Sequence, residues 1–209
     1  KKLSETPFLS SGIGGILHIA SGYSRRFEEV ILQVPKGRSL KGINVSTNRG
    51  QTTIINASLE NATLNTNGYL LRIEGSRIKN SKFKTPNIIN IFSTELTDSQ
   101  LESTENHFHA ENIQVHGKVE LAAKTDLQLL LSEEEKQRIN LDLSTKHGSI
   151  LHFVREGRRP FKNEKNKDER LSNPYKTEKA DAKDQLIARA EQDIYLLKSE
   201  EHESSSRNR

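Results

Sequence analysis

The sequence predicts an all-β fold: a single-stranded β-solenoid with coils of about 19 residues, right-handed by analogy with parallel β-helices. Three observations carry this. Val45, Leu64, Phe83, Leu101 and Val119 form an apolar column with spacings of 19, 19, 18 and 18. Thr47, Thr66, Thr85 and Thr104 recur at 19, each followed by a turn position: Asn48-Arg49, Asn67-Gly68, Pro86-Asn87 and Glu105-Asn106. Two further columns hold the same period, Ile54, Ile73, Ile91 and Leu40, Leu59, Ile78, Leu96, Ile113. A fixed period of this length is the signature of repeats that bury their apolar face only by stacking on their neighbours.

Facing follows from the two-residue period of a strand. With Val45, Leu64, Phe83, Leu101 and Val119 inward, their neighbours Asn44/Ser46, Thr63/Asn65, Lys82/Lys84, Gln100/Glu102 and Lys118/Glu120 point out, and all are polar. The next inward positions, Ile43, Ala62, Ser81, Ser99 and Leu121, are small or apolar. An antiparallel meander or sandwich competes, because Asn67-Gly68 in "LNTNGYLLRIE" is by itself a strong hairpin signal. Its recurrence in phase with three other turns favours a solenoid corner, with Leu64 stacked between Val45 and Phe83 and not paired across to Ile73.

Residues 1–26 read as an irregular lead broken by Gly12, Gly14, Gly15 and Gly22. "FEEVILQVP" (27–35) alternates like a strand, and solenoid coils run over 27–154, ending with "INLDLSTKHGSILHF". Within them "LSEEEKQRI" (131–139) is a charged loop or one helical turn. Residues 155–184 are a charged polar excursion, read either as a disordered insertion or as a path to a last strand pair. "DQLIARAEQDIYLL" supplies the terminal coil at 185–197, although Ala, Gln, Arg and Leu also suit a helix. Residues 198–209 are expected to be a disordered tail. The exposed last coil presents an edge-strand hazard, which the excursion would cover or through which the chain would pair.

Composition narrows the function classes. Hydrophobic residues make up 32% and charged residues 29% of the 209, and the mean hydropathy is −0.74, polar enough that part of the chain should be tail or exposed insertion. There is no cysteine, which excludes disulfides, thiolate metal sites and cysteine nucleophiles. There is no methionine either, even at position 1, so the chain reads as a piece of a longer product. The formal charge of +4 is mild. "FLSSGIGGILHIASG" lacks the roughly 20 apolar residues of a membrane span and the shape of a signal peptide. Targeting or membrane anchoring is therefore expected only through segments outside this chain.

The stretch "VPKGRSLKGINVSTNRGQTTIINASLENATLNTNGYLLRIEGSRIKNSKFKT" resembles a bacterial adhesin-type β-strand-repeat family of unknown function, whose members include LiaG-like proteins of Gram-positive envelope stress. Pro35-Lys36-Gly37, Leu40, Ile43, Val45 and Thr47 match that family's opening. Asn48-Arg49-Gly50, Asn67-Gly68 and Lys146-His147-Gly148 stand at its turns. The likeness covers about 27–197 and departs where the turn glycine becomes Asn87, Asn106 and Asp193. It implies a β-solenoid at the cell envelope or outer surface, and transfers no catalytic residue.

Chemical motifs are sparse. "SGIGG" (11–15) lacks the third glycine of a dinucleotide fingerprint and the Gly-Lys-Ser/Thr of a phosphate loop. His107 and His109, two apart with Phe108 between them, share a face and form a weak surface metal candidate. Asp98, Asp126 and Asp142 fall in different phases of the repeat, so no acid pair for glycan cleavage emerges. Arg155, Arg158, Arg159, Lys162, Lys165 and Lys167 are interleaved with acids and have only Phe161 nearby, which argues against nucleic acid.

The expected function is a non-enzymatic binding or scaffold module of the bacterial cell envelope, with no catalytic residue and no cofactor. Its partners would be envelope proteins or an anionic cell-wall polymer. The surface-contact candidates are the outward Asn44, Asn65, Lys82, Lys84, Glu102 and Lys118. A carbohydrate-processing β-helix enzyme and a cytoplasmic regulatory interaction protein are the alternatives.

Overall fold

The structure is a computed structural model that describes residues 16–18, 29–33, 40–41, 44–47, 51–66, 68–155 and 169–199. "SGIGG", Pro35-Lys36-Gly37, Ile43, Asn48-Arg49-Gly50, Asn67, the basic cluster beyond Arg155 and the tail after 199 lie outside these residues.

Each coil lays one strand on each of three faces. The first three coils are β1 (Ile16–His18), β2 (Glu29–Gln33) and β3 (Leu40–Lys41), then β4 (Asn44–Thr47), β5 (Gln51–Ile55) and β6 (Ser58–Glu60), then β7 (Thr63–Thr66), β8 (Leu70–Glu74) and β9 (Arg77–Lys79). Two more follow: β10 (Lys82–Thr85), β11 (Ile88–Phe92) and β12 (Glu95–Thr97), and β13 (Gln100–Ser103), β14 (Phe108–Glu111) and β15 (Gln114–His116). The next coil has β16 (Lys118–Ala123) and β17 (Leu127–Leu130), with the helix α1 (Glu133–Arg138) where a third strand would stand. The remaining strands are β18 (Asn140–Thr145), β19 (Ile150–Arg155), β20 (Glu169–Leu171), β21 (Tyr175–Lys176), β22 (Gln185–Ala190) and β23 (Ile194–Ser199). Among the described residues, stacking produces two nine-stranded sheets and one of five. We call them the first sheet (β1 through β21), the second (β2 through β20) and the third (β3 to β15). β1 falls in the stretch read from sequence as an irregular lead.

Leu64 pairs in parallel register with Val45 on one side and Phe83 on the other. "LNTNGYLLRIE" is therefore a corner and not a hairpin. Ile54, Ile73 and Ile91 form one rung of the second sheet, continued by Ala110, Leu129 and Leu196. These side chains are almost wholly buried, and each contributes about 1.5–3 kcal/mol when it is as large as Leu or Ile.

Three column positions are corrected by the structure. Leu101 stands over Leu121, not Val119, which instead pairs with Leu186. Leu96 stands over Val115, not Ile113. Thr85 stands over Ser103, not Thr104. The first two slips are of two residues, which preserves the side-chain face. Val119 and Ile113 are thus still buried, and hydrophobic patterning cannot distinguish the registers.

The corners at either end of the third sheet use left-handed backbone. Asn56, Gly75, Ser93 and Asn112 turn from the second sheet, and Asn61, Asn80, Asp98 and Gly117 turn back to the first, all with φ between +45° and +63°. Asparagine, aspartate and glycine tolerate this region best. Asn87 and Asn106, singled out from sequence as turn residues, are not among them. Inside the corners, small hydroxyl side chains bridge coils. Ser81 Oγ donates to Lys79 O (2.7 Å) and accepts from the Ala62 N–H (3.0 Å), and Ser99 Oγ repeats the pattern with Thr97 O and the Ser81 N–H. Among the described residues no buried side-chain polar atom lacks a partner.

The last coil in sequence is not the last in space. β22 lies between β16 and β18, and β23 lies between β17 and β19, parallel to both neighbours. The actual end is closed by β20 and β21, which run antiparallel to β19 and β18. Asn173 between them binds the Thr145 N–H, carbonyl and hydroxyl. The charged excursion thus includes the strands that cover the terminal edge.

Candidate functional site

One of the two nine-stranded outward faces belongs to the first sheet. The six sequence candidates all map to it, in three rows and not one ladder. Asn65, Lys84 and Glu102 are successive members of one row. Asn44 and Lys82 belong to the row that passes through Thr63, Gln100 and Glu120. Lys118 begins a third row with Gln185 and Asn140. For Asn44 only the backbone is described.

Ion pairs run both between and within the coils of this face. Lys84 Nζ lies 3.1 Å from Glu102 on the next coil, and Lys118 Nζ lies 2.6 Å from Glu120 on its own strand. Asp142 accepts from both Arg189 guanidinium nitrogens (3.1 and 3.0 Å) and has Lys176 Nζ at 3.6 Å. These cations, Arg189 foremost, hold the Asp142 carboxyl below its ordinary value. Lys124 and Lys146 flank Glu191 at 2.9 and 3.9 Å, and the Lys124 hydrogen bond chiefly lowers its pKa.

Between these charges lies an open groove of about 450 Å³. Its small residues Ala122 and Ser144 stand either side of Arg189 in the row that continues from Glu102, and Lys124, Glu191 and Lys146 form its border. Sequence reading missed this groove. Arg189 joins Ala122 and Ser144 only because β22 inserts between their strands, and no local signal marks that.

On the second sheet, Phe108 is fully buried and His107 and His109 flank it on the outside. Burial holds the His107 pKa below its usual value; the Asp126 carboxylate opposes that shift, and His109 adds to it. Both His109 ring nitrogens are engaged, Nδ1 with Gln128 Oε1 at 3.2 Å and Nε2 with Glu111 Oε2 at 3.3 Å. Its ring tilts against Phe92, which Arg72 covers on the other side. Among the described residues no three ligand-type side chains gather around a metal position.

The three scattered aspartates each serve the fold. Asp98 accepts from the Lys118 N–H, Asp126 from the Asp193 N–H, and Asp142 holds Arg189. A further cluster escaped sequence reading: Glu135, Arg138 and Asp184. Ser132 caps α1 by accepting from the Glu135 N–H, the signal of a capping box. The Glu135 carboxylate does not turn back to the cap, however. Oε1 accepts from the Val115 N–H at 2.6 Å, while Arg138 bonds Glu135, Asp184 and the Val115 carbonyl. The Glu135 hydrogen bond is the main cause of the raised Arg138 pKa, ahead of the contribution from Asp184.

A Toastrack DUF4097 family model matches residues 1–197. The chain belongs to the Toastrack family. That family is of the repeat type and of unknown function, and its model points to no catalytic class. No curated protein matches the chain, and neither does any solved structure. In this Toastrack chain the groove and the Glu135–Arg138 cluster lie within the matched residues. No helix among the described residues is long and apolar enough to cross a membrane.

Proposed function

We propose that this Toastrack solenoid is a non-enzymatic binding or scaffold module of the bacterial cell envelope, of the adhesin type and in the LiaG-like envelope-stress setting. Its partner is an anionic cell-wall polymer, held on the outer face of the first sheet. One observation carries this reading: the charge of that face. Lys82, Lys84, Lys118, Lys124, Lys146, Lys176 and Arg189 stand on it against Glu102, Glu120, Asp142 and Glu191. Cations repeated along a stiff stack match a polymer whose negative charges also repeat, and many weak contacts add through avidity. The groove beside Arg189 gives such a chain a place to lie flat.

The test is co-sedimentation of the purified chain with bacterial cell walls, before and after their anionic polymers are stripped. Binding is expected to weaken with salt, to fall on stripping, and to be lost in a Lys84→Glu/Lys118→Glu/Lys124→Glu variant. Undiminished sedimentation of that variant, or no sedimentation of the unaltered chain, would refute the reading.

A further inference from the structure

Residues 185–199 close the fold in an unusual place. β22 and β23 sit in a slot whose walls are β16–β17 and β18–β19, and both walls precede them in sequence. Leu186 lies between Val119 and Leu141, Ala188 between Leu121 and Leu143, and Ile194 between Leu127 and Ile150. All of these are at most 5% exposed. Until this coil arrives, the slot presents two unpaired edges and an open apolar floor.

We propose that residues 185–199 form a donor coil that can fill this slot in a second copy of the chain as well as in its own. The interaction surface is the slot itself, and its partner is another Toastrack chain of the same sequence. Two features support exchange. The preceding Thr177–Asp184 contains no helix or strand and spans up to about 26 Å when extended, enough to carry the donor to a neighbour while β20 and β21 stay on their own copy. None of that segment's residues is fully buried, and hydrogen bonds hold it. The Thr177 hydroxyl accepts from the Leu141 N–H, and Asn140 bonds the Lys179 N–H and the Ala182 carbonyl. Lys179 Nζ donates to the end of α1, and Asp184 accepts from Arg138 and the Gly117 N–H. Reciprocal exchange of identical elements makes a closed two-fold dimer and keeps the contacts of β22 and β23 within the slot.

The absence of cysteine makes a clean test possible. Lys118 and Gln185 are register partners on adjacent parallel strands, at a spacing of about 4.8 Å that suits a disulfide. A full chain carrying both Lys118→Cys and Gln185→Cys should close the bond within one molecule. Chains carrying one substitution each, unfolded in urea and refolded together, should give a covalent heterodimer. Its fraction should grow with concentration toward the ~1 mM at which a free donor rivals a tethered one. Lys82→Cys in place of Lys118→Cys should give none. Isotope-labelled and unlabelled chains without cysteines, co-refolded and weighed by native mass spectrometry, should form mixed dimers under the same conditions. The proposal fails if the double variant closes its bond while mixed single variants stay monomeric, if Lys82→Cys crosslinks equally, or if the double variant leaves its thiols free.

Discussion

The Glu135 carboxylate accepts a hydrogen bond from the Val115 N–H at 2.6 Å, while Arg138 donates to the Val115 carbonyl. A salt-bridged pair on α1 thus gives β15 what a further strand would have given it. The third sheet ends after five strands, while the other two continue.

Glu135→Ala removes that acceptor and leaves a buried N–H without a partner. The expected loss is about 1–3 kcal/mol, read as a fall in melting temperature of about 2–4 °C per kcal/mol for a chain of this size. An unchanged melting temperature would show that α1 merely lies over the edge.

Gly117→Ala should also destabilise, for a different reason. At φ +63° the new Cβ is strained and falls within the Asp98 carboxylate of the coil above, a backbone cost of about 1–2 kcal/mol before the clash. Asp98→Gly added to Gly117→Ala should recover part of the loss, because Asp98 itself sits at φ +45°. Additive losses in the double variant would argue against the clash.

Thr85 is the hub of a buried corner. Its hydroxyl donates to Thr66 O (2.8 Å) and accepts from Thr66 Oγ1 (2.8 Å), the Asn87 N–H (3.1 Å) and Asn87 Nδ2 (2.9 Å). Thr85→Val keeps the volume but leaves the buried Asn87 N–H and Thr66 hydroxyl short of a partner, at a cost of about 1–3 kcal/mol. The urea midpoint should drop with the m-value unchanged.

Two groups lower stability on acidification in separate pH windows. Burial lowers the folded-state pKa of His107, so below its ordinary 6.5 the unfolded chain takes up its proton first and stability falls with pH. His107→Gln should remove that slope and leave stability above pH 6.5 unaffected by it. Asp142 is held low by Arg189, so its contribution is complete above its ordinary 3.8 and is lost as pH drops through the folded value. The stability gap between the unaltered chain and Asp142→Asn should therefore close only below 3.8. A pH titration of chemical denaturation distinguishes the two, and a His107→Gln profile parallel to the unaltered one would contradict the first.

Much of the fold was legible because solenoid coils repeat chemistry at a fixed distance. The Leu64 and Ile73 columns, the outward polar neighbours on the described strands and the passage from β7 to β8 without a hairpin followed from period and parity. Asn65, Lys82, Lys84, Glu102 and Lys118 were legible as outward-facing, but the division of the candidates into rows was not. Row membership depends on how many residues each corner consumes, as the 20-residue step from Leu101 to Leu121 shows.

The sequence by itself determined the period, the strand content and which face of each strand is buried, because these depend on local alternation that every stable register must respect. Only the tertiary structure decided the two-residue slips, the replacement of a third-sheet strand by Glu135 and Arg138, and the insertion of β22–β23 between earlier coils. A slip of two keeps the same residues buried, and a parallel strand can pair on either edge of any coil. The choice therefore rests on packing between residues distant in sequence: Ala188 fills the space between Leu121 and Leu143, and Arg189 reaches Asp142.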